Sequence, residues 1–285
     1  MKVGLIPVNI GVANAEQMIH MAQVAESVGL ESVWTFEHVI VPVDYKSKYP
    51  YSPNGKMGAT PETNFIDPLI ALTAIAAQTK KLRLGTGVNI LSQTSPLLLA
   101  KQAASLDLVS NGRFMLGVGI GWLQEEFVAM GTPFERRGAR FDDYVVAMKK
   151  VWSGKVVEHD SDFLNWHGFK SYPVPVQKPH VPVIIGGAKG KIFERIATVG
   201  DGWFAPIADP VELGKALAEL KAVCKRVGRN YADIEITTMW QAQAGLDSLK
   251  QLQDLGVARV TTFAMGAGDP IDAIKRLGDE VIGKL

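Results

Sequence analysis

Two glycine-rich turns and one histidine carry the residue types that could do chemistry. Gly117-Val118-Gly119-Ile120-Gly121-Trp122 follows the apolar run Phe114-Met115-Leu116. Gly186-Gly187-Ala188-Lys189-Gly190-Lys191 follows Val183-Ile184-Ile185. Glycine lets backbone approach a ligand closely and leaves N–H groups for an anion. The second turn leaves a strand and enters a helix. Backbone amides and the helix dipole make that point an anion site, and Lys189 and Lys191 add positive charge. We therefore expect Gly186, Gly187 and Ala188 at the phosphate of a bound cofactor, a plain tight turn being the alternative. The first turn is not a dinucleotide fingerprint, because its third glycine comes too early and no helix follows at once. It reads as a backbone floor for a flat ring at Gly119 and Gly121, with Trp122 nearby, or as glycines that relieve crowding. Glu37-His38 lies just past the second apolar run, where a histidine could hydrogen-bond a ring or shuttle a proton. Within Gly85-Thr86-Gly87-Val88-Asn89 two glycines point to a bulge or a close ligand approach.

These residues need elements to hold them. Short apolar runs at residues 3–7, 32–36, 82–88, 114–118, 183–185, 202–205, 234–238 and 259–264 read as strands. Helical periods occupy about 15–28, 67–79, 96–109, 137–152, 191–199, 210–227, 246–255 and 270–285. Asp67-Pro68 and Ser95-Pro96 mark helix starts, and Gly29 a stop. Strands alternating with helices imply a parallel sheet. Eight units in a chain of 285 residues fit a closed (β/α)₈ TIM barrel. An open doubly wound sheet would place its phosphate loop after strand one, yet Pro7-Val8-Asn9 holds no glycine cluster. The barrel is therefore expected as a single domain over 1–285, with insertion segments on its active-site rim. Residues 37–65, rich in Pro, Gly, Tyr and Lys, follow strand two and read as a lid. Residues 154–179 read as a small hairpin insertion ahead of strand five.

Composition narrows the function classes. Thirty basic and 29 acidic residues nearly cancel, which argues against a nucleic-acid surface or a binder of anionic membranes. The single cysteine, Cys224, forms no internal disulfide and points to a reducing compartment. The start of the chain lacks the pattern of a signal peptide, and no apolar run reaches the roughly 18 residues of a membrane span. A cytoplasmic location is expected. The five histidines show no HxxxH or HExxH spacing, so no metal is expected. GxSxG is absent. Arg136, Arg137 and Arg140 stand beside Asp142 and Asp143, which favours internal ion pairing. Acid pairs such as Glu125-Glu126 read as solvated helix surface. The stretch 69–77 is apolar nearly all round, whereas an outer barrel helix should have one wet face. A partner subunit is therefore expected to cover helix 67–79, giving a homodimer.

The series Leu84-Gly85-Thr86-Gly87-Val88, Ala100-Lys101-Gln102, Leu106-Asp107, Gly112-Arg113-Phe114, Leu116 through Trp122, Arg137-Gly138, Gly186-Gly187 and Gly200-Asp201-Gly202-Trp203 resembles the bacterial luciferase-like monooxygenase superfamily. It is most similar to the branch of F420-dependent oxidoreductases, over about residues 1–206. The resemblance implies a barrel that holds a flavin or deazaflavin at its strand C-termini, in members that often form homodimers. It implies that His38 lies near the deazaflavin, that a non-proline cis peptide at Gly87-Val88 backs the ring, and that Gly186-Gly187 belongs to the phosphate loop. Sugar-phosphate dehydrogenases of this family carry a glutamate where Ile120 stands here, so that activity is not expected and the proton-transfer partner stays unassigned. Lys178, His180, Lys189, Lys191 and Arg195 could form a basic lip for the polyglutamate tail of F420, ordinary surface charge being the alternative. The expected activity is hydride transfer between F420 and a small organic substrate. The alternatives are an FMN-dependent monooxygenase using reduced flavin and O₂, and a flavin-binding protein without turnover.

Overall fold

The computed structural model describes residues 1–264 and 268–284. In chain order its elements are β1 (Lys2–Leu5), α1 (Ala15–Ser27), β2 (Ser32–Thr35), α2 (Pro68–Gln78), β3 (Arg83–Thr86), β4 (Asn89–Ile90), α3 (Pro96–Val109), β5 (Phe114–Gly119), α4 (Gln124–Ala129) and α5 (Arg137–Val151). There follow β6 (Val157–Asp160), β7 (Asn165–Phe169), β8 (Val183–Gly186), α6 (Ile192–Val199), β9 (Gly202–Ala205), α7 (Pro210–Val227), β10 (Glu235–Met239), α8 (Gly245–Asp254), β11 (Arg259–Thr262) and α9 (Pro270–Glu280). Eight parallel strands, β1, β2, β3, β5, β8, β9, β10 and β11, pair in that order, and β11 returns to β1. The result is a closed (β/α)₈ barrel, as the alternation of patterns predicts.

The helices start where capping residues dictate. Asp67 accepts the amides of Leu69 and Ile70, Ser95 that of Leu98, Asp209 that of Glu212 and Asp269 that of Ile271, each with proline next in sequence. Helix α6 starts at Ile192 rather than 191, and α9 ends at Glu280, with a 3₁₀ turn at 282–284. Residue 285, the expected end of that helix, lies outside the described residues.

Strand three divides into two pieces. β3 pairs with β5 through Leu84↔Phe114 and Gly85↔Met115, and β4 pairs with β5 through Asn89↔Val118 and Ile90↔Gly119. Between these pairings the β3–β4 side carries one residue more than β5, which is a bulge. The Gly87-Val88 peptide in it is cis.

Side chains fill the barrel in layers. Arg259, fully buried at the N-terminal end, donates to both oxygens of Glu31 at 2.6 and 2.7 Å and to Glu235 at 2.5 Å. Above it Ile6, Trp34, Met115, Ile184 and Phe204 pack together, with Phe36, Val88 and Met239 against them. A Cβ on Gly85 would stand 2.3 Å from the Trp34 ring, so this glycine makes room for the indole.

The two insertions lie at opposite ends. Residues 37–65 leave the C-terminal end of β2 and run over the barrel mouth. The antiparallel hairpin β6–β7 forms within 154–179 as expected. This segment connects α5 to the start of β8, so it belongs to the barrel's other end. There Gln177 bonds Asp107 and the carbonyl of Phe114, the first residue of β5. Only 37–65 is on the active-site rim.

Candidate active site

The mouth is built from the residues that follow the strands. Asn9, fully buried beyond β1, donates to the carbonyls of Phe36 and Ile66 at 2.9 and 2.7 Å and accepts the amide of Phe36 at 3.0 Å. It ties the end of β1 to the end of β2 and to the far end of the rim segment. This fixes the origin of Glu37 and His38.

His38 is held on three sides. Its Nδ1 lies 3.0 Å from Glu126 Oε2. Its ring meets Phe65 and Trp122 edge to face, with centroids 5.7 and 5.8 Å away. Glu126 comes from α4 and is buried, with its side chain 2% exposed. Its Oε1 also accepts the amides of Val39 and Ile40 at 2.5 and 3.3 Å. The neighbouring Glu125 accepts the amides of Lys46 and Ser47 and the Ser47 hydroxyl, the last at 2.6 Å. Although burial opposes it, these donors hold the Glu125 carboxyl well below its usual range, at about 2. The pair expected as solvated surface is therefore a double clamp on the rim segment. One signal for it was present in the sequence. Leu123, Glu126 and Phe127 share one helical face, which places Glu126 among buried apolar neighbours.

Glu37 points its carboxyl at the bulge. It accepts Asn89 Nδ2 at 2.8 Å and the amide of Ile90. Burial pushes it up to about 8, against the Ile90 amide and with the help of the Glu126 and Asp67 charges.

The rim segment supplies an aromatic wall. Trp122 lies 5.8 Å from Tyr45 and 5.1 Å from Tyr49, which lies 5.5 Å from Tyr51. Burial, then the Tyr49 hydroxyl, pushes Tyr51 up to about 12. A Cβ on Gly187 would come within 3.9 Å of the Tyr51 hydroxyl. The segment thus reaches from β2 across to the β8–α6 turn.

The expected glycines divide by what they face. Cβ atoms on Gly119 and Gly186 would meet Val88 methyls at 2.7 and 2.6 Å. These glycines open the space that the Val88 side chain fills, so Val88 itself tops the barrel interior. Gly117, whose Cβ would be 1.8 Å from the Thr86 carbonyl oxygen, admits the β3 backbone. Gly121 has φ +75° and packs against Phe127 and Ile90, which leaves no space for a side chain. Gly187 spends its amide on the Phe204 carbonyl at 3.4 Å and its carbonyl on Trp203 Nε1 at 2.8 Å. The amides of Ala188, Lys189, Gly190 and Lys191 donate to no acceptor among the described residues. Amides without a partner among the described residues thus run from Ala188 to Lys191, just ahead of α6. A cradle of such amides suits a phosphate.

The basic lip is smaller than expected. Lys178 bonds the Pro175 carbonyl, and His180 stacks on Trp152, both ahead of β8 at the barrel's other end. Lys189 and Lys191 are exposed beside the cradle. Arg195 pairs with Asp142 at 2.7 Å, and a Cβ on Gly138 would be 2.4 Å from its guanidinium. Arg137 lies close by. Burial, then Arg140 and Arg195, pulls it below its ordinary value. Arg137 Nε donates to the Gly121 carbonyl at 3.1 Å.

Comparison with known proteins agrees with this geometry. The family model for luciferase-like monooxygenases matches residues 6–255. An uncharacterised protein of Mycobacterium tuberculosis is 31% identical over 90% of each chain. The oxygenase component of a flavin-dependent trigonelline monooxygenase from Acinetobacter baylyi is 29% identical over 77% of this chain and 56% of its own. In fold, the coenzyme F420-dependent tetrahydromethanopterin reductase of Methanopyrus kandleri superposes with a TM-score of 0.79 over 99% of both chains, at 17% identity. Barrel, mouth and family model agree: the chain belongs to the luciferase-like monooxygenase family and is an oxidoreductase of the flavin- or F420-dependent kind.

Proposed function

We propose that the chain is an F420-dependent oxidoreductase that moves a hydride between the deazaflavin and a small organic substrate. The observation that carries this reading is the cradle of unpartnered amides from Ala188 to Lys191, at the same mouth as His38. Lys189 and Lys191 are exposed within it, and Arg195 follows on α6, paired with Asp142. The charge of the two lysines suits a ligand with several negative groups, such as a phosphate extended by glutamates, better than a lone phosphate. Val88, with Gly87 before it and Gly119 and Gly186 beside it, would lie beneath the ring, and Gly121 and Gly187 at its edges. Bound deazaflavin would supply a two-electron hydride acceptor or donor. The aromatic rim would cover the substrate and exclude water. His38 would take the substrate proton in one direction and return it in the other.

The second reading is an FMN-dependent monooxygenase, favoured by the likeness to the Acinetobacter protein. A homodimer that covers α2, one functional domain and a cytoplasmic location complete the proposal.

Titration with F420 and with FMN separates the readings. F420 is expected to bind with a Kd below about 100 μM and FMN more weakly. His38→Ala is then expected to slow hydride transfer by about 10²–10⁴-fold while F420 still binds. Tighter binding of FMN than of F420 would transfer the assignment to the monooxygenase. Cofactor binding with a silent His38→Ala would favour a flavin-binding protein without turnover. If neither cofactor binds, both redox readings fail.

A further inference from the structure

Glu126 stands out among the buried groups because two backbone amides and an imidazole nitrogen converge on it. The amides of Val39 and Ile40 meet Oε1 at 2.5 and 3.3 Å, and the His38 ring meets Oε2 through Nδ1 at 3.0 Å. Backbone N–H groups only donate. A carboxyl that receives two of them is best satisfied as the acceptor-only carboxylate, whose charge shortens and strengthens both bonds. If Nδ1 were the acceptor, Glu126 would need a proton on Oε2, and the charge that both amides address would be gone. Nδ1 therefore carries the ring hydrogen. A neutral imidazole has one hydrogen, so Nε2 is bare. Nε2 has no hydrogen-bond partner among the described residues.

We propose that Glu126 is a positioning residue that fixes the tautomer of His38, so that Nε2 meets the substrate as a proton acceptor. This rests on the reading of His38 given above. In the oxidising direction the substrate O–H bond breaks and its proton moves to Nε2. Bound deazaflavin would accept the hydride of the adjacent C–H, which would leave the C–O bond as a carbonyl. The resulting imidazolium keeps Nδ1–H on the Glu126 carboxylate, whose charge stabilises it. In the reducing direction Nε2–H gives the proton back. Proton transfer, left unassigned at Ile120, thereby falls to His38, and Glu126 on α4 orients it. The same carboxylate fastens the first residues of the rim segment, so ring orientation and rim placement are set by one group.

A glutamine at 126 has one acceptor oxygen for three donors and two hydrogens of its own. At least one of the three donors loses its partner, and the ring is released to its solution preference for Nε2–H. The test uses the full chain with ¹⁵N-labelled histidine, free of cofactor, at a pH where the rings are neutral. His38→Gln identifies the His38 signals. In the wild type the protonated nitrogen is expected to be Nδ1. In Glu126→Gln it is expected to be mainly Nε2. With F420 and a substrate alcohol, Glu126→Gln should lower kcat about 10²-fold with little change in the F420 dissociation constant. A wild-type His38 protonated at Nε2 overturns the proposal, whether or not the variant folds. So does a folded Glu126→Gln that keeps Nδ1–H and full kcat. Failure of F420 to bind would sink the functional reading separately, because the tautomer is read without cofactor.

Discussion

Two buried glutamates at the mouth differ in what surrounds their carboxyls. Glu126 gathers three N–H donors, whereas Glu37 has the Ile90 amide and the Asn89 side chain and lies near the charges of Glu126 and Asp67. Burial pushes Glu37 from 4.5 up to about 8. The sign of the linkage follows. A raised folded-state value means that the native chain keeps a proton that the unfolded chain releases. The contribution is fully present below about 4.5 and is lost as pH rises through about 8. Glu37→Gln removes this titration. The melting temperature of the wild type minus that of Glu37→Gln is therefore expected to fall from pH 5 to pH 8 and to level off above that. A difference that stays flat across this range in scanning fluorimetry would contradict the assignment. At this scale the sequence was legible in part. His38 and the glycine turn after β8 stood out because each follows a strand end, where the structure also places them. The work done by Gly119, Gly121 and Gly186 was not readable, because it depends on Val88, Phe127 and Ile90 reaching them from other elements.

Helix α4 is the element on which the mouth depends, and the sequence reading gave it no bounds, taking only its acid pair as solvated helix surface. It has six residues, and its cap position, Leu123, gives no side-chain hydrogen bond. Neither periodicity nor capping chemistry announces so short a helix. β4 was hidden for a similar reason, since a two-residue strand behind a bulge carries no alternation of its own. The longer helices were readable because Asp-Pro and Ser-Pro pairs mark their starts. α4 contributes one carboxylate to each half of the clamp. Glu126 holds residues 38–40, and Glu125 holds residues 46–47. With Glu125 held at about 2, that grip persists through any ordinary assay pH. Glu125→Ala removes every acceptor that the amides of Lys46 and Ser47 have. Hydrogen exchange over residues 44–50 is then expected to speed up about tenfold or more, with the barrel strands unchanged. Unaltered exchange there would show that the aromatic packing on Trp122 holds the segment by itself.

At the scale of the whole molecule, the adjacent helices α2 and α3 leave four large apolar side chains in water. α2 packs against the barrel through Leu69, Ala71, Leu72, Ile75 and Ala76, yet Ile70 on its outer face is 68% exposed. On the adjacent α3, Leu98, Leu108 and Val109 are 54%, 52% and 58% exposed. Among the described residues, no helix is long and apolar enough to cross a membrane. A second copy would cover this face. In a two-fold dimer each of these side chains is buried twice, once in each protomer. Burying an Ile or Leu side chain fully contributes about 1.5–3 kcal/mol. These four are already partly covered in the protomer, so each would contribute only part of that amount toward the roughly 4–15 kcal/mol that association costs. Light scattering of the wild type is expected to give twice the 30.9 kDa chain mass. Ile70→Asp combined with Leu98→Asp would place unpaired charges in the contact, and the mass is expected to fall to one chain. Both positions are exposed in the protomer, so circular dichroism should not change with the loss of mass. A wild type that scatters as a single chain at micromolar concentration would leave these side chains in water and remove the partner from the proposal.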